Sequence, residues 1–183
     1  VQAVTHFPAL SYFEIGVFMK DLRAREGIAA KALEFTILTA ARTGEVIGAR
    51  WDEFNLNDAF WTIPAERMKA QREHRVPLSP GAMAIIQAMK KIRESEYVFP
   101  GGRKGRPLSN MGMLAVLKRM EFDDLTVHGF RSSFRDWAAE RTNYAREVAE
   151  GALAHAIPDA VEAAYRRGDL FDKRRRLMND WAK

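Results

Sequence analysis

Apolar residues recur at helical spacing through the first part of the chain, alternate in the middle, and return to helical spacing afterwards. "SYFEIGVFMKDLRA" reads as a helix capped by Ser11, with Phe13, Val17 and Leu22 on its buried face. "IAAKALEFTILTAA" follows, with Ile28, Leu33, Phe35, Ile37 and Leu38 on its apolar face and a break at "RTGE". The period then changes to two. "AFWTIP" and "HRVPLS" alternate, and the polar "AERMKAQRE" between them predicts the tip of a hairpin. Ser79 with Pro80 behind it starts another helix, "SPGAMAIIQAMKKIR". "YVFP" is a short apolar run ending in a "GGRKGRP" loop. Beyond it, Ser109 or Asn110 opens "MGMLAVLKRM", Thr126 caps "VHGFRSSFRDWAAER", and "AREVAEGALAH" is again helical. Asp159 opens "AVEAAYRR", and a tail helix over about 170–183 closes the chain. The expected fold is mainly α (α+β): one helical domain over residues 1–183 with a small antiparallel sheet inserted after the second helix.

Composition narrows the class. With 183 residues, 47% hydrophobic and 29% charged, the chain is a globular domain with a real core. Nothing approaches the roughly 18 consecutive apolar residues of a membrane span, and "VQAVTHFPAL" has no leader pattern. The first residue is not Met, which suggests a fragment of a longer protein. There is no cysteine, hence no disulfide, thiolate metal site or cysteine nucleophile, which fits the cytosol. Net charge is +5, and the excess is uneven: residues 1–100 carry 13 basic and 12 acidic side chains, residues 101–183 carry 16 and 12. A basic second half points to a polyanion, usually nucleic acid, although many basic proteins bind none.

Within that frame a few residues could carry chemistry. In "HGFRSSFRDWAAE", Phe130, Phe134, Trp137 and Ala138 form one helical stripe and His128, Arg131 and Arg135 another. Spacing alone favours a core helix with a solvated basic face. The alternative is that His128 and Arg131 share a cleft at the first turn of the helix, where unpaired N–H groups also favour an anion. Arg42, at the end of an apolar helix, is either a surface arginine or a bidentate phosphate ligand, and Glu45 is either a first-turn acid or its anchor. Lys69 lies in the hairpin tip, where a lysine is usually idle but can enter a DNA groove. His74, on the returning strand, reads as structural. His155 ends a helix and would ordinarily meet the helix dipole. Tyr165, in "AAYRR", would ordinarily be a packing residue. As a nucleophile a phenol, with pKa about 10, needs positive charge around it.

The ordered set "ARTGE", a hairpin lysine, "HGFR", "LAH" and "AAYRR" resembles the catalytic domain of the tyrosine recombinases, the phage integrase family. "RWDEFNL", "WTIP", "HRVPLS" and "SSFRDWAAE" are similar to integrases of prophages and genomic islands, and the resemblance runs from "HFPAL" to the end. It implies that Arg42 and Arg131 are the catalytic arginines, Lys69 the hairpin lysine, His128 the histidine of the His-x-x-Arg pair, and His155 the family's His-or-Trp position. Tyr165 is then the nucleophile and Glu45 the supporting acid. Lys90, Lys91 and Lys104 are distant alternatives to Lys69. "LAH" stands where "LGH" is commoner, and the segment from His155 to Tyr165 is a residue longer than in many relatives.

The implied function is site-specific DNA recombination through a 3′-phosphotyrosyl link, with neither ATP, metal nor other cofactor. Arg42, Lys69, Arg131 and Arg135 would contact DNA. The implied partners are double-stranded attachment sites, three further protomers in a tetramer, and DNA-bending accessory proteins, in a bacterial cytoplasm at the nucleoid. Family members also carry N-terminal arm- and core-binding domains, expected to be lacking here. In the tail, Leu170, Phe171, Leu177 and Trp181 fit either a solvated amphipathic helix or contacts with a neighbouring protomer. Two other readings compete: an inactive DNA-binding remnant of a prophage integrase, which an intact residue set argues against, and a metal-dependent nuclease, which needs converging carboxylates.

Overall fold

The computed structural model describes residues 8–155 and 168–183. Its centre is helix α2 (Ile28–Thr39), which is buried on nearly every side. Periodicity assigns it one apolar face, but Ala30, Ala32, Glu34, Thr36 and Thr39 are buried too. A helix apolar all round belongs inside a domain, and the polar residues of α2 are satisfied there. Thr36 and Thr39 hydroxyls donate to the carbonyls of Ala32 and Phe35 at 2.7 Å each. Glu34 accepts from Arg23 at 2.7 Å. Helix α1 (Ile15–Arg23), α3 (Thr43–Ile47), α4 (Pro80–Lys91) and α5 (Gly112–Arg119) pack against α2.

Helix α1 corrects the sequence reading. It starts at Ile15, with no cap from Ser11, and buries Ile15, Phe18, Met19 and Leu22. Phe13 and Val17 are 70% and 68% exposed. Of the expected face only Leu22 points inward: positions 15, 18, 19 and 22 are the set one helical stripe can hold. Ser79 caps α4 as expected, accepting from Ala82 N–H at 3.3 Å.

The sheet has three antiparallel strands in the order β1 (Phe54–Asn55), β2 (Phe60–Ile63), β3 (His74–Pro77). It follows the short helix α3 rather than α2 directly. Register pairs Trp61 with Val76 and Ile63 with His74. Trp61, Ile63 and Val76 are buried, as alternation demands. Phe35 on α2 meets Trp61 at 5.7 Å and Phe99 at 5.6 Å between ring centres, which ties the sheet to the core.

A second apolar cluster joins α6 (Gly129–Arg141), α7 (Arg146–Ala152) and α8 (Phe171–Trp181) through Phe134, Ala138, Val148, Leu153, Leu177 and Met178. The tail helix therefore lies on its own chain. Leu177 is fully buried, and the Trp181 indole donates to the Ile37 carbonyl at 2.8 Å. Buried Arg174 donates to the Arg75 carbonyl on β3 at 2.6 Å, to the Asp169 carbonyl at 2.7 Å and to its carboxylate at 2.9 Å. Leu177 and Trp181 are thus cis packing residues in this structure, and the solvated face is carried by Asp172, Lys173 and Arg176.

Candidate active site

The site is organised by the end of α7. Leu153 is its C-cap, and Ala154 follows in the left-handed conformation at φ 50°. Ala154 N–H donates to the Gly151 carbonyl at 3.2 Å and His155 N–H to the Glu150 carbonyl at 3.0 Å. This pair of bonds is the Schellman closure of a helix. It gives the "LAH" motif a physical meaning: the middle residue must turn left-handed, which glycine does without penalty, and the next residue is thrown back across the helix end.

Two arginines converge on that end. Arg131 lies in the first turn of α6 and is 5% exposed. It donates through Nη1 to the Ala40 carbonyl and through Nη2 to the Leu153 carbonyl at 2.7 Å. Arg42, at the N-cap of α3, donates through Nη2 to the adjacent Ala154 carbonyl at 3.5 Å. Glu45 holds Arg42 twice, accepting from its backbone N–H and from Nη1 at 2.8 Å each. The left-handed Ala40, at φ 51°, turns the chain out of α2 to start this arrangement. Arg131 is not part of a solvated basic stripe: burial, followed by the nearby Arg42 charge, pushes its pKa down to about 10, against Glu45 and Glu150. It stays charged at neutral pH.

His155 completes the cluster. Its Nε2 lies 3.3 Å from Arg131 Nη2, and its Nδ1 lies 2.5 Å from Glu150 Oε2. Glu150 also accepts from Arg135 Nε at 2.9 Å, so Arg135 is engaged in an ion pair on the exposed face. Burial opposes ionisation of Glu150, but the bonds from His155 and Arg135 outweigh it and hold its pKa low.

Helix α6 starts later than the sequence suggests: His128, not Thr126, sits at its N-cap position, while Thr126 Oγ1 accepts from Gly129 N–H at 3.0 Å in the turn that leads into the helix. A side chain at Gly129 would collide with the Pro8 carbonyl, so the glycine of "HGFR" lets the segment at residues 8–9 lie against the start of α6. Burial pushes the His128 imidazolium below its usual range, and Arg131, Arg42 and His155 act in the same sense.

His74, expected to be structural, borders this cluster. Burial and then Arg174 push its pKa down to about 4, with Arg42 and Arg131 adding to the effect, while its hydrogen bond to the Ala152 backbone opposes them. Its position opposite Ile63 in the register, facing α7, is the signal that sequence reasoning missed.

Lys69 follows Met68, which is buried and anchors the tip of the hairpin. The base of the hairpin is tied to α3 by Arg67, which donates to the Glu45 carbonyl at 2.5 Å and pairs with Glu53. Lys69 itself is exposed. Tyr165 lies outside the described residues, as does the predicted helix after Asp159.

A second positive feature lies beyond α3. Between Tyr97 and Met120 there are five basic residues and no acidic one. Arg103, Lys104 and Arg106 stand on a tight loop that Gly101 N–H closes onto the Arg106 carbonyl at 2.8 Å. With Ser109, Asn110 and Ile47, this loop borders an open cavity of about 730 Å³. Ile47 ends the helix whose N-cap is Arg42. Among the described residues no group of three or more His, Asp or Glu could hold a metal ion, and no helix is long and apolar enough to cross a membrane.

The chain is similar to known proteins in sequence and in fold. The chain is 40% identical over 149 residues to prophage integrase IntA of Escherichia coli K12, covering 80% of this chain and 36% of that protein. It is 37% identical over 172 residues to prophage integrase IntZ of the same strain, covering 92% and 42%. The integrase of Enterobacteria phage P4 is 32% identical over 197 residues, covering 97% and 45%. The chain thus spans less than half the length of these curated relatives. In fold it is similar to the integrase from mycobacterium phage Brujita, with TM-score 0.72 at 15% identity over 98% of this chain and 59% of that one. It is also similar to lambda integrase, solved as a tetramer bound to a Holliday junction, with TM-score 0.64 at 17% identity over 87% and 50%. The sequence model of the phage integrase family matches residues 14–169, and the chain belongs to that family.

Proposed function

We propose that this chain is the catalytic domain of a site-specific tyrosine recombinase, cutting and rejoining DNA through a 3′-phosphotyrosyl intermediate. The observation that carries the reading is the convergence of Arg42, Arg131 and His155 on the end of α7. Two guanidiniums fixed by backbone carbonyls form a preorganised receptor for the non-bridging oxygens of a phosphodiester. The Tyr165 oxygen forms a bond to phosphorus as the bond from phosphorus to the 5′ oxygen breaks. His128, whose imidazolium is disfavoured by burial and by the nearby arginines, accepts the phenol proton. Lys69, exposed at the hairpin tip, protonates the leaving oxygen. Glu45 holds Arg42. One phosphodiester is exchanged for another, so the step needs neither ATP nor a metal.

The partner is double-stranded DNA carrying an attachment site, with three further protomers and DNA-bending accessory proteins in the full reaction, at the nucleoid of a bacterial cytoplasm. The basic loop at Arg103–Arg106 supports a polyanion partner, and the lambda integrase neighbour was solved on a Holliday junction as a tetramer. The experiment is incubation with a nicked suicide duplex in EDTA. A covalent protein–DNA adduct, lost in Tyr165→Phe, is the expected result. DNA binding without an adduct would favour the inactive remnant, and cleavage only with Mg²⁺ a metal-dependent nuclease.

A further inference from the structure

We infer that Glu150 is a positioning residue for His155, fixing the imidazole so that Nε2 faces the phosphate receptor and stabilising its charged form when phosphate arrives. The inference rests on the strand-transfer reading above. Glu150 is held from three sides. Its Oε2 lies 2.5 Å from His155 Nδ1, its Oε1 accepts from Arg135 Nε at 2.9 Å, and Arg146 Nε lies 3.7 Å from the same oxygen. Its backbone carbonyl closes the helix end by accepting from His155 N–H at 3.0 Å. One residue thus grips both the backbone and the ring of His155.

The chemistry of the contacts sets the tautomer. A carboxylate can only accept, and a guanidinium can only donate. With Nδ1 against Glu150 and Nε2 against Arg131 Nη2, the tautomer protonated on Nδ1 satisfies both neighbours at once. The other neutral tautomer would face a lone pair with a carboxylate and an N–H with another N–H. When a phosphate takes up the donors of Arg131, Nε2 is released from that contact. It can then gain a proton and donate it as a hydrogen bond to a phosphate oxygen. The resulting imidazolium sits between a carboxylate on one side and a phosphate on the other.

The charged groups around this pair agree with that division of labour. On α6 stand Arg131 and Arg135, with His128 at its N-cap; on α7, Arg146; at the start of α3, Arg42 with Glu45; on β3, His74. Among these groups, Glu150 is the carboxylate in direct contact with the ring. The arginine on its other oxygen keeps Glu150 ionised and oriented, which gives Arg135 a role through Glu150.

The test is Glu150→Gln, with Glu150→Asp as the conservative partner, in the full chain. Two measurements are made. Ring nitrogen NMR of His155 reads the tautomer, and covalent adduct formation on a nicked duplex is followed against pH. The expected result is a His155 ring fixed on the Nδ1–H form in the wild type and mixed in Glu150→Gln. The adduct rate of that variant should fall roughly ten- to a hundredfold above neutral pH, less than the roughly 10²–10⁴-fold that a general acid–base group contributes, because His155 itself is kept. Lowering the pH should recover part of the loss, and Glu150→Asp should recover part of it at all pH values. An unchanged ring tautomer, or a uniform rate loss with an unshifted pH profile, overturns the inference. If the wild type forms no adduct, the strand-transfer reading fails instead, and the NMR measurement still decides whether Glu150 sets the ring.

Discussion

Arg131 is a buried cation bound to two backbone carbonyls and set beside His155. Such a group is held in one geometry, which is what a transition-state receptor requires and a flexible surface arginine lacks. Arg131→Lys keeps the charge and loses the fork, so its adduct rate should fall about 10²–10³-fold, the range for removing one preorganised donor. The helix phase of "HGFRSSFRDWAAE" groups Arg131 with Arg135 and cannot separate them. They diverge because α6 is flanked on both sides near its start, by the segment from Pro8 and by the end of α7, while Arg135 lies a turn further on and reaches the surface. Ala154 gives a second prediction at this scale. At φ 50° its side chain strains the helix closure, so Ala154→Gly should stabilise the chain by about 0.5–1 kcal/mol in urea denaturation. His74 gives a third. Its folded pKa of about 4 lies below the ordinary value of 6.5, so the unfolded chain binds the extra proton between them. Stability from this group is complete above about 6.5 and is lost as pH falls towards about 4, by roughly 3 kcal/mol, and His74→Gln should flatten that stretch of the stability–pH curve.

At the scale of elements, three short connections bring the site together. Ala40 turns out of α2, the Schellman closure ends α7, and the hairpin base is pinned to α3 by Arg67. The elements themselves were legible from periodicity: the hairpin, α4 with its Ser79 cap, and the α6 stripe, of which Phe130, Phe134 and Ala138 are buried and Trp137 half-buried, stand where the pattern put them. The face of α1 was not, because Phe13 and Val17 are apolar yet exposed, and an apolar residue carries no label of which side it serves. Nor was the docking of α8, whose anchor is a charged residue. The tail helix reads as solvated or as a partner contact, yet Arg174 in "DKRRRL" is 1% exposed and bridges Asp169 to β3. Arg174→Met should therefore lower stability by about 3 kcal/mol, since it leaves the carbonyls of Arg75 and Asp169 without their donor. Denaturant titration checks this, and a neutral outcome would mean that the apolar contacts of Leu177 and Met178 suffice to dock the tail.

At the scale of the whole molecule, two groups of positive charge among the described residues bear on the proposed function. One is held by fixed partners, Arg42 by Glu45 and Arg131 by the Ala40 and Leu153 carbonyls; the other is exposed, on the loop at Arg103, Lys104 and Arg106. If the loop meets DNA phosphates, replacing its three cations by Gln should lower the slope of log K against log salt by about 0.9 for each phosphate no longer neutralised. The adduct rate at saturating DNA should be kept. Replacing Lys90 and Lys91 on α4 should leave the slope almost unchanged. The role of Tyr165 comes from the resemblance of the ordered motifs, since spacing alone leaves it a packing residue, and it lies outside the described residues. The most direct measurement is therefore peptide mapping of the protein–DNA adduct formed on a nicked duplex in EDTA. The expected result is DNA joined through a 3′ phosphate to the Tyr165 oxygen. Attachment to any other residue, or strand cleavage with no covalent link, would contradict the assignment of Tyr165 as the nucleophile.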